Sequence, residues 1–191
     1  MIGHVALVRH AHLPYVRHPE HARSLEERWL FEALWESYLP LVDVLDALAR
    51  DRVDAPLTVS LSPTLASMLG DELLRARFED HLARLCELCA SLRRRARGDA
   101  RLGALLDFYD GRLRRVAEVW RRCERDVPAA LASHARQDRI ELVTTAVTHA
   151  FLPALDARSQ RVSVGNSASL AFFLRGGALL CASPPHDRVC S

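Results

Sequence analysis

The sequence predicts an α/β fold in which parallel strands alternate with helices. Short apolar or β-branched runs begin at Val5, Leu57 and Ile140, and long amphipathic segments separate them. Because helical crossovers rather than tight turns join the runs, neighbouring strands are expected to be parallel. The carboxyl ends of parallel strands meet at one edge of the sheet, which is where α/β proteins bind ligands.

The first predicted strand carries two histidines to that edge. Residues 5–14 read Val-Ala-Leu-Val-Arg-His-Ala-His-Leu-Pro, and the apolar run from Val5 to Val8 predicts a strand covered on both faces. His10 and His12 are two residues apart, so in extended chain their side chains point to the same side. Pro14 ends the strand just beyond them. The pair is therefore a candidate for function.

The middle of the chain reads as helices around a second strand. Ser24 and Glu27 have the spacing of a capping box that begins a helix, and Pro40 is expected to kink or split that helix near Leu39. The alternating run 57–61 predicts a strand, and Ser62-Pro63 begins a short helix that ends at residue 69. Further helices are predicted over residues 71–98, 100–124 and 128–137.

A third strand, predicted over residues 140–147, is followed by His149. If the strands are parallel, His149 reaches the same edge as His10 and His12. Such imidazoles can ligate zinc or another metal, or can hydrogen-bond to sugar hydroxyls or a phosphate. The spacing alone does not choose between these roles.

Composition excludes several classes of protein. All 26 basic residues are arginine, so a Walker loop and Schiff-base chemistry, which need a lysine, are excluded. The net charge of +2 does not indicate nucleic-acid binding. Cys86 and Cys89 lie in a helical pattern without a second pair at zinc spacing, so we interpret them as ordinary helix cysteines. We expect a cytoplasmic protein without a secretory leader or a membrane span.

Four blocks of sequence resemble glycoside hydrolase family 57, above all its 1,4-α-glucan branching enzymes. The blocks are His10-Ala-His-Leu-Pro-Tyr-Val-Arg17, Trp29-Leu-Phe-Glu-Ala33, Ser60-Leu-Ser-Pro-Thr-Leu65 and residues 141–153, Glu-Leu-Val-Thr-Thr-Ala-Val-Thr-His-Ala-Phe-Leu-Pro. The resemblance implies that residues 1–156 form the N-terminal part of an incomplete (β/α)7 barrel. It also implies retaining glycosyl transfer on α-glucan that makes α-1,6 branches, without a metal or organic cofactor.

The resemblance further assigns roles to single residues. His10, His12 and His149 would line the sugar-binding rim, and Glu32 would fix that rim by hydrogen bonds. Trp29 is expected to belong to the core rather than to stack on a sugar.

The sequence departs from the family after Asp156. A retaining mechanism needs a nucleophile and an acid/base, two carboxylates roughly 5 Å apart, but no glutamate follows Glu141 and the late carboxylates are Asp156 and Asp187. We expect residues 157–191 to be a divergent tail, produced by a shifted reading frame or a truncated gene. The chain alone would then lack glycosyl transfer and would leave an open strand edge. Two alternatives stay open, a metal-dependent hydrolase that uses the histidines and a non-catalytic glucan-binding remnant.

Overall fold

A parallel three-stranded sheet forms the centre of the structure. The computed structural model describes residues 3, 5–54, 57–96 and 98–174. Strands β1 (Val8–Ala11), β2 (Leu57–Leu61) and β3 (Ile140–Val143) follow each other in the sheet in chain order, and both pairings are parallel. The parallel α/β prediction is therefore confirmed. In the register, His10 lies beside Ser60, which in turn lies beside Val143.

The first crossover is one continuous helical run of three segments. Helix α1 (Leu25–Ala33) continues through a π-helical segment (Leu34–Tyr38) into α2 (Leu39–Arg50). Pro40 lies in the first turn of α2, where the missing N–H disturbs the hydrogen-bond ladder of the preceding turn. The prediction that the helix is split near Leu39 is thus confirmed, since the π-helical segment separates α1 from α2 there.

The second crossover is a layer of helices that begin at polar caps. It contains α3 (Pro63–Leu69), α4 (Glu72–Arg95), α5 (Ala100–Arg122) and α6 (Val127–Arg136). The N-cap side chains that accept a backbone N–H are Ser62, Asp71, Asp99 and Asp126. Beyond β3, short 3-10 turns at Val147–His149 and Leu152–Ala154 lead to α7 (Ala157–Leu174).

The core lies between the sheet and these helices. Phe78 of α4 is completely buried, and its ring meets the ring of Trp120 of α5 edge-on at a centroid distance of 4.9 Å. Leu39 and Leu65 are also completely buried, so α2 and α3 belong to the same core. This packing holds the helices in place against the sheet.

The prediction of a buried first strand is wrong in both position and burial. The strand begins only at Val8, and Val5, Leu7 and Val8 are 90%, 63% and 61% exposed. The reason is that β1 lies at the edge of the sheet, where β2 is its one neighbour among the described residues. The apolar run that predicted two covered faces therefore lies on open surface.

Two further predictions need correction. Trp29 is 50% exposed, because the buried face of α1 carries Leu30 and Phe31 instead. The third strand ends at Val143 rather than at residue 147, and the hydroxyl of Thr144 donates to the carbonyl of Leu61 instead of continuing a ladder.

The end of the described chain is helical. Asp156 accepts hydrogen bonds from the backbone N–H groups of Arg158 and Ser159, and so begins α7. That helix packs against α3 and α6. Asp187 and the rest of the predicted tail beyond residue 174 lie outside the described residues. Among the described helices, none has the length and apolar character needed to cross a bilayer.

Candidate functional site

Five side chains from three parts of the chain meet at the carboxyl edge of the sheet. His10 and His12 come from the end of β1, Ser60 and Ser62 from the end of β2, and His149 from the 3-10 turn after β3. We call this group the histidine rim. The predicted convergence of the three histidines is therefore present in the structure.

The three imidazoles are in mutual contact. The Nε2 atoms of His10 and His149 are 2.9 Å apart, which is a hydrogen bond across 139 positions of sequence. The ring centroid of His149 lies 4.9 Å from that of His10 and 4.4 Å from that of His12. The rings of His10 and His12 stack at 6.0 Å. The rim is thus a compact cluster.

Two serines hold the histidines of β1 from the neighbouring strand. The Oγ of Ser60 lies 3.2 Å from Nδ1 of His10, and the Oγ of Ser62 lies 3.0 Å from Nδ1 of His12. Both pairs follow from the parallel register of β1 and β2. His10 lies beside Ser60, and a step of two residues along each strand brings His12 beside Ser62. Sequence reasoning did not assign these serines to the site. The signal that could have found them is a Ser-x-Ser at the end of the second strand, matching the His-x-His of the first.

His149 reaches the rim through an unusual backbone conformation. Its φ angle is +57°, in the left-handed region that few residues other than glycine adopt. Its N–H donates to the carbonyl of Ala146 over 3.0 Å, which closes the turn. His149 therefore approaches the other histidines from a tight turn rather than directly from the strand end.

The electrostatics of the cluster favour the neutral form of His12. Partial burial, together with the neighbouring His149 and His10, lowers the pKa of His12 below its usual 6.5. The bond between His10 and His149 also needs one N–H and one lone pair, so both rings cannot be protonated while it exists. His12 therefore offers a neutral donor and acceptor, which suits hydroxyl groups. Within the described residues, no group of histidine, cysteine and carboxylate side chains is placed to hold a metal ion.

Glu32 does not take the position expected of it. Its carboxylate pairs with Arg28 one turn earlier on α1, at 3.2 Å, and both side chains are largely exposed. Its negative charge acts on His81 of α4. Within the described residues no hydrogen bond joins Glu32 to the three histidines, because its position on α1 faces α4.

Glu27 is the glutamate of α1 that organises the site's surroundings. It is only 1% exposed and pairs with Arg77 of α4, while Oε1 also accepts the N–H of His18 at 3.1 Å. Arg77 donates to the carbonyls of His18 and His21. Ser24 is the N-cap as predicted, but Glu27 serves this network instead of completing a capping box. The loop that follows the histidines is thereby fastened to α4.

Comparison with known proteins identifies the family. Residues 6–171 match the family model of Glycosyl hydrolase family 57. The chain belongs to this family. The match extends beyond Asp156, where the sequence alone suggested that the family pattern ends.

Relatives of this family 57 chain include enzymes that act on α-glucans. It is 29% identical over 157 residues to a 1,4-alpha-glucan branching enzyme of Thermococcus kodakarensis, covering 81% of this chain and 22% of that protein. The crystal structure of that branching enzyme in complex with glucose matches with a TM-score of 0.80 and 26% identity, over 88% of this chain and 30% of the other.

Two further solved structures have the same fold. The branching enzyme of Pyrococcus horikoshii has a TM-score of 0.82 and 28% identity, over 88% of this chain and 32% of the other. The alpha-amylase AmyC of Thermotoga maritima has a TM-score of 0.79 and 31% identity, over 91% and 33%. The chain thus corresponds to the N-terminal part of a (β/α)7-type barrel and spans between 22% and 33% of the lengths of these relatives.

Proposed function

We propose that this chain is the N-terminal part of an α-glucan-active enzyme of the branching type, and that the histidine rim binds sugar hydroxyls. The observation that carries the proposal is the cluster of three histidines and two serines at the carboxyl edge of a family 57 sheet. Relatives named as branching enzymes, one of them solved in complex with glucose, support α-glucan as the ligand class.

The chemistry of the rim suits a neutral polyol. A sugar hydroxyl both donates and accepts, and neutral imidazoles and serine hydroxyls also do both. The lowered pKa of His12 keeps its ring uncharged at neutral pH, so the site does not demand an anionic ligand such as a phosphate. The assigned binding residues are His10, His12 and His149. Glu32 is proposed to contact a glucan that is long enough to extend from the histidine rim along α1.

Glycosyl transfer needs two carboxylates in addition to this rim. A retaining mechanism places a nucleophile and an acid/base on either side of the scissile bond, roughly 5 Å apart. Among the described residues, no carboxylate is hydrogen-bonded to the histidines of the rim. We therefore propose that the chain by itself binds α-glucan without breaking it, that it needs no cofactor, and that catalysis requires the part of the family barrel that this chain does not match.

The experiment separates binding from turnover. The purified chain is incubated with amylose, and new α-1,6 branches and new reducing ends are measured over time, while retardation in an amylose-containing gel reports binding. We expect retardation without new branches. His10→Ala should abolish the retardation, whereas His21→Ala, which removes an exposed histidine of the adjacent loop, should not. New branches made by the chain alone, or no retardation of the wild type, would contradict the proposal.

A further inference from the structure

The hydroxyl of Ser62 has two polar neighbours and no exposure to water. Its Oγ accepts the backbone N–H of Leu65 at 3.3 Å, which caps α3, and lies 3.0 Å from Nδ1 of His12. The residue is 0% exposed. A serine hydroxyl has one hydrogen to donate and can accept two hydrogen bonds. Since the Leu65 contact uses an acceptor position, the hydrogen itself still needs a partner.

His12 is the partner that the structure offers. Among the described residues, the hydroxyl oxygen of Ser62 has no hydrogen-bond contact other than those to Leu65 and His12. Leaving a buried donor without an acceptor is costly, and buried hydroxyls are nearly always satisfied. The Ser62 hydroxyl therefore donates to Nδ1 of His12, and that nitrogen must be unprotonated to accept.

This direction of donation determines which nitrogen of His12 carries the proton. A neutral imidazole that accepts at Nδ1 carries its hydrogen on Nε2. Burial and the neighbouring histidines lower the pKa of His12, which keeps the ring in this neutral form.

We propose that Ser62 is a positioning residue that fixes His12 as the Nε2–H tautomer, so that His12 donates a hydrogen bond to an acceptor oxygen of the ligand. The identity of that oxygen as a glucan hydroxyl rests on the proposed function, whereas the tautomer is a property of the free protein. The Nε2 of His12 has no hydrogen-bond partner within the described residues, while the Nε2 atoms of His10 and His149 bond to each other. The Nε2–H of His12 is thus a donor that no described residue takes up.

Ser60 provides the contrast. It holds Nδ1 of His10 at 3.2 Å, but no backbone N–H is bonded to its Oγ among the described residues. Its hydroxyl can therefore either donate or accept, and it leaves the tautomer of His10 open. The second contact, from Leu65 of the capped helix, is what orients the hydroxyl at Ser62.

NMR spectroscopy measures the tautomer of His12 directly. Long-range proton–nitrogen spectra of the ¹⁵N-labelled chain distinguish Nε2–H from Nδ1–H, and His12→Gln assigns the signal. We expect the wild type to carry the proton of His12 on Nε2 at neutral pH. A proton on Nδ1 would overturn the proposal, whatever the chain does with glucan.

Matched variants test whether Ser62 is the cause. Ser62→Asp keeps a side chain that caps α3 but can only accept, so it should move the proton of His12 to Nδ1 and raise the pH at which His12 titrates. Ser62→Thr retains a hydroxyl and should keep the Nε2–H form. Ser60→Ala should leave His12 unchanged. An unchanged tautomer in a folded Ser62→Asp variant, as judged by circular dichroism, would overturn the proposal.

Binding gives the second readout. At a pH above the titration of His12 in the variant, where its ring is neutral with the proton on Nδ1, maltohexaose should bind roughly tenfold more weakly to Ser62→Asp than to the wild type. This factor corresponds to one lost hydrogen bond of about 1.4 kcal/mol. Ser62→Thr should bind as the wild type does. Equal affinity of Ser62→Asp and wild type would contradict the role of His12 as donor. Absence of wild-type binding together with an Nε2–H His12 would refute the proposed function and support the tautomer assignment.

Discussion

Replacing Glu27 by alanine is expected to destabilise the protein far more than the same change at Glu32. Both glutamates lie on α1 and both pair with an arginine, but their surroundings differ. Glu27 is 1% exposed and the side chain of Arg77 is 15% exposed, whereas the side chains of Glu32 and Arg28 are 44% and 57% exposed. The two glutamates therefore differ in burial and in the additional bond that Glu27 accepts from the N–H of His18.

The magnitude follows from what each deletion leaves behind. Without Glu27, the guanidinium of Arg77 is left in a mostly buried position and the N–H of His18 loses its acceptor. Removing one partner of a buried ion pair costs about 3–5 kcal/mol of unfolding free energy. Removing Glu32 frees a solvated arginine, and exposed pairs are worth about 0–1 kcal/mol.

Urea unfolding followed by circular dichroism measures both values. We expect the midpoint of Glu27→Ala to fall sharply and that of Glu32→Ala to stay close to wild type. For a chain of this size, each kcal/mol of lost unfolding free energy lowers the melting temperature by roughly 2–4 °C. Equal losses in the two variants would refute the reasoning, because they would show that neither burial nor the bond to His18 strengthens the Glu27 pair.

Two further predictions concern pH and the sheet edge. Burial and nearby arginines lower the pKa of His81 below its usual 6.5, so the unfolded state takes up a proton that the native state resists. The unfolding free energy should therefore fall as pH drops below about 6.5. His81→Gln should make the unfolding free energy depend less on pH, while His21→Gln, at an exposed site, should not. The same pH dependence in wild type and His81→Gln would contradict this. Leu7→Lys should reduce concentration-dependent self-association measured by light scattering, because it places a charge beside the edge of β1 that pairs with no strand among the described residues. Leu25→Lys, at a leucine equally exposed on a helix, is the control, and an equal effect of both changes would show that the edge is not responsible.

Local patterns predicted most elements because their causes are local. The cap at Ser24, the proline at residue 40 and the alternation over 57–61 each act within one or two turns of chain. The convergence of His10 and His149 was also predictable, since parallel strands bring their carboxyl ends to one edge.

The failures come from contacts between residues distant in sequence. The run from Val5 to Val8 suggested a buried strand, yet burial depends on which neighbours cover the edge, and no local pattern contains that information. Glu27 matched a local cap but instead pairs with Arg77, 50 positions away. The sequence likewise does not predict the left-handed backbone conformation of His149, because the turn that follows β3 sets it.

The central claim is that the three histidines act together as an α-glucan site, and calorimetric titration with maltohexaose tests it most directly. His149→Ala is the variant to compare, because His149 joins the rim from a turn far along the chain and pairs with His10. We predict measurable binding by the wild type, at least roughly tenfold weaker binding by His149→Ala, and wild-type affinity in the His21→Ala control. Equal affinities of wild type and His149→Ala would contradict the account, since the rim would then not be where the glucan binds.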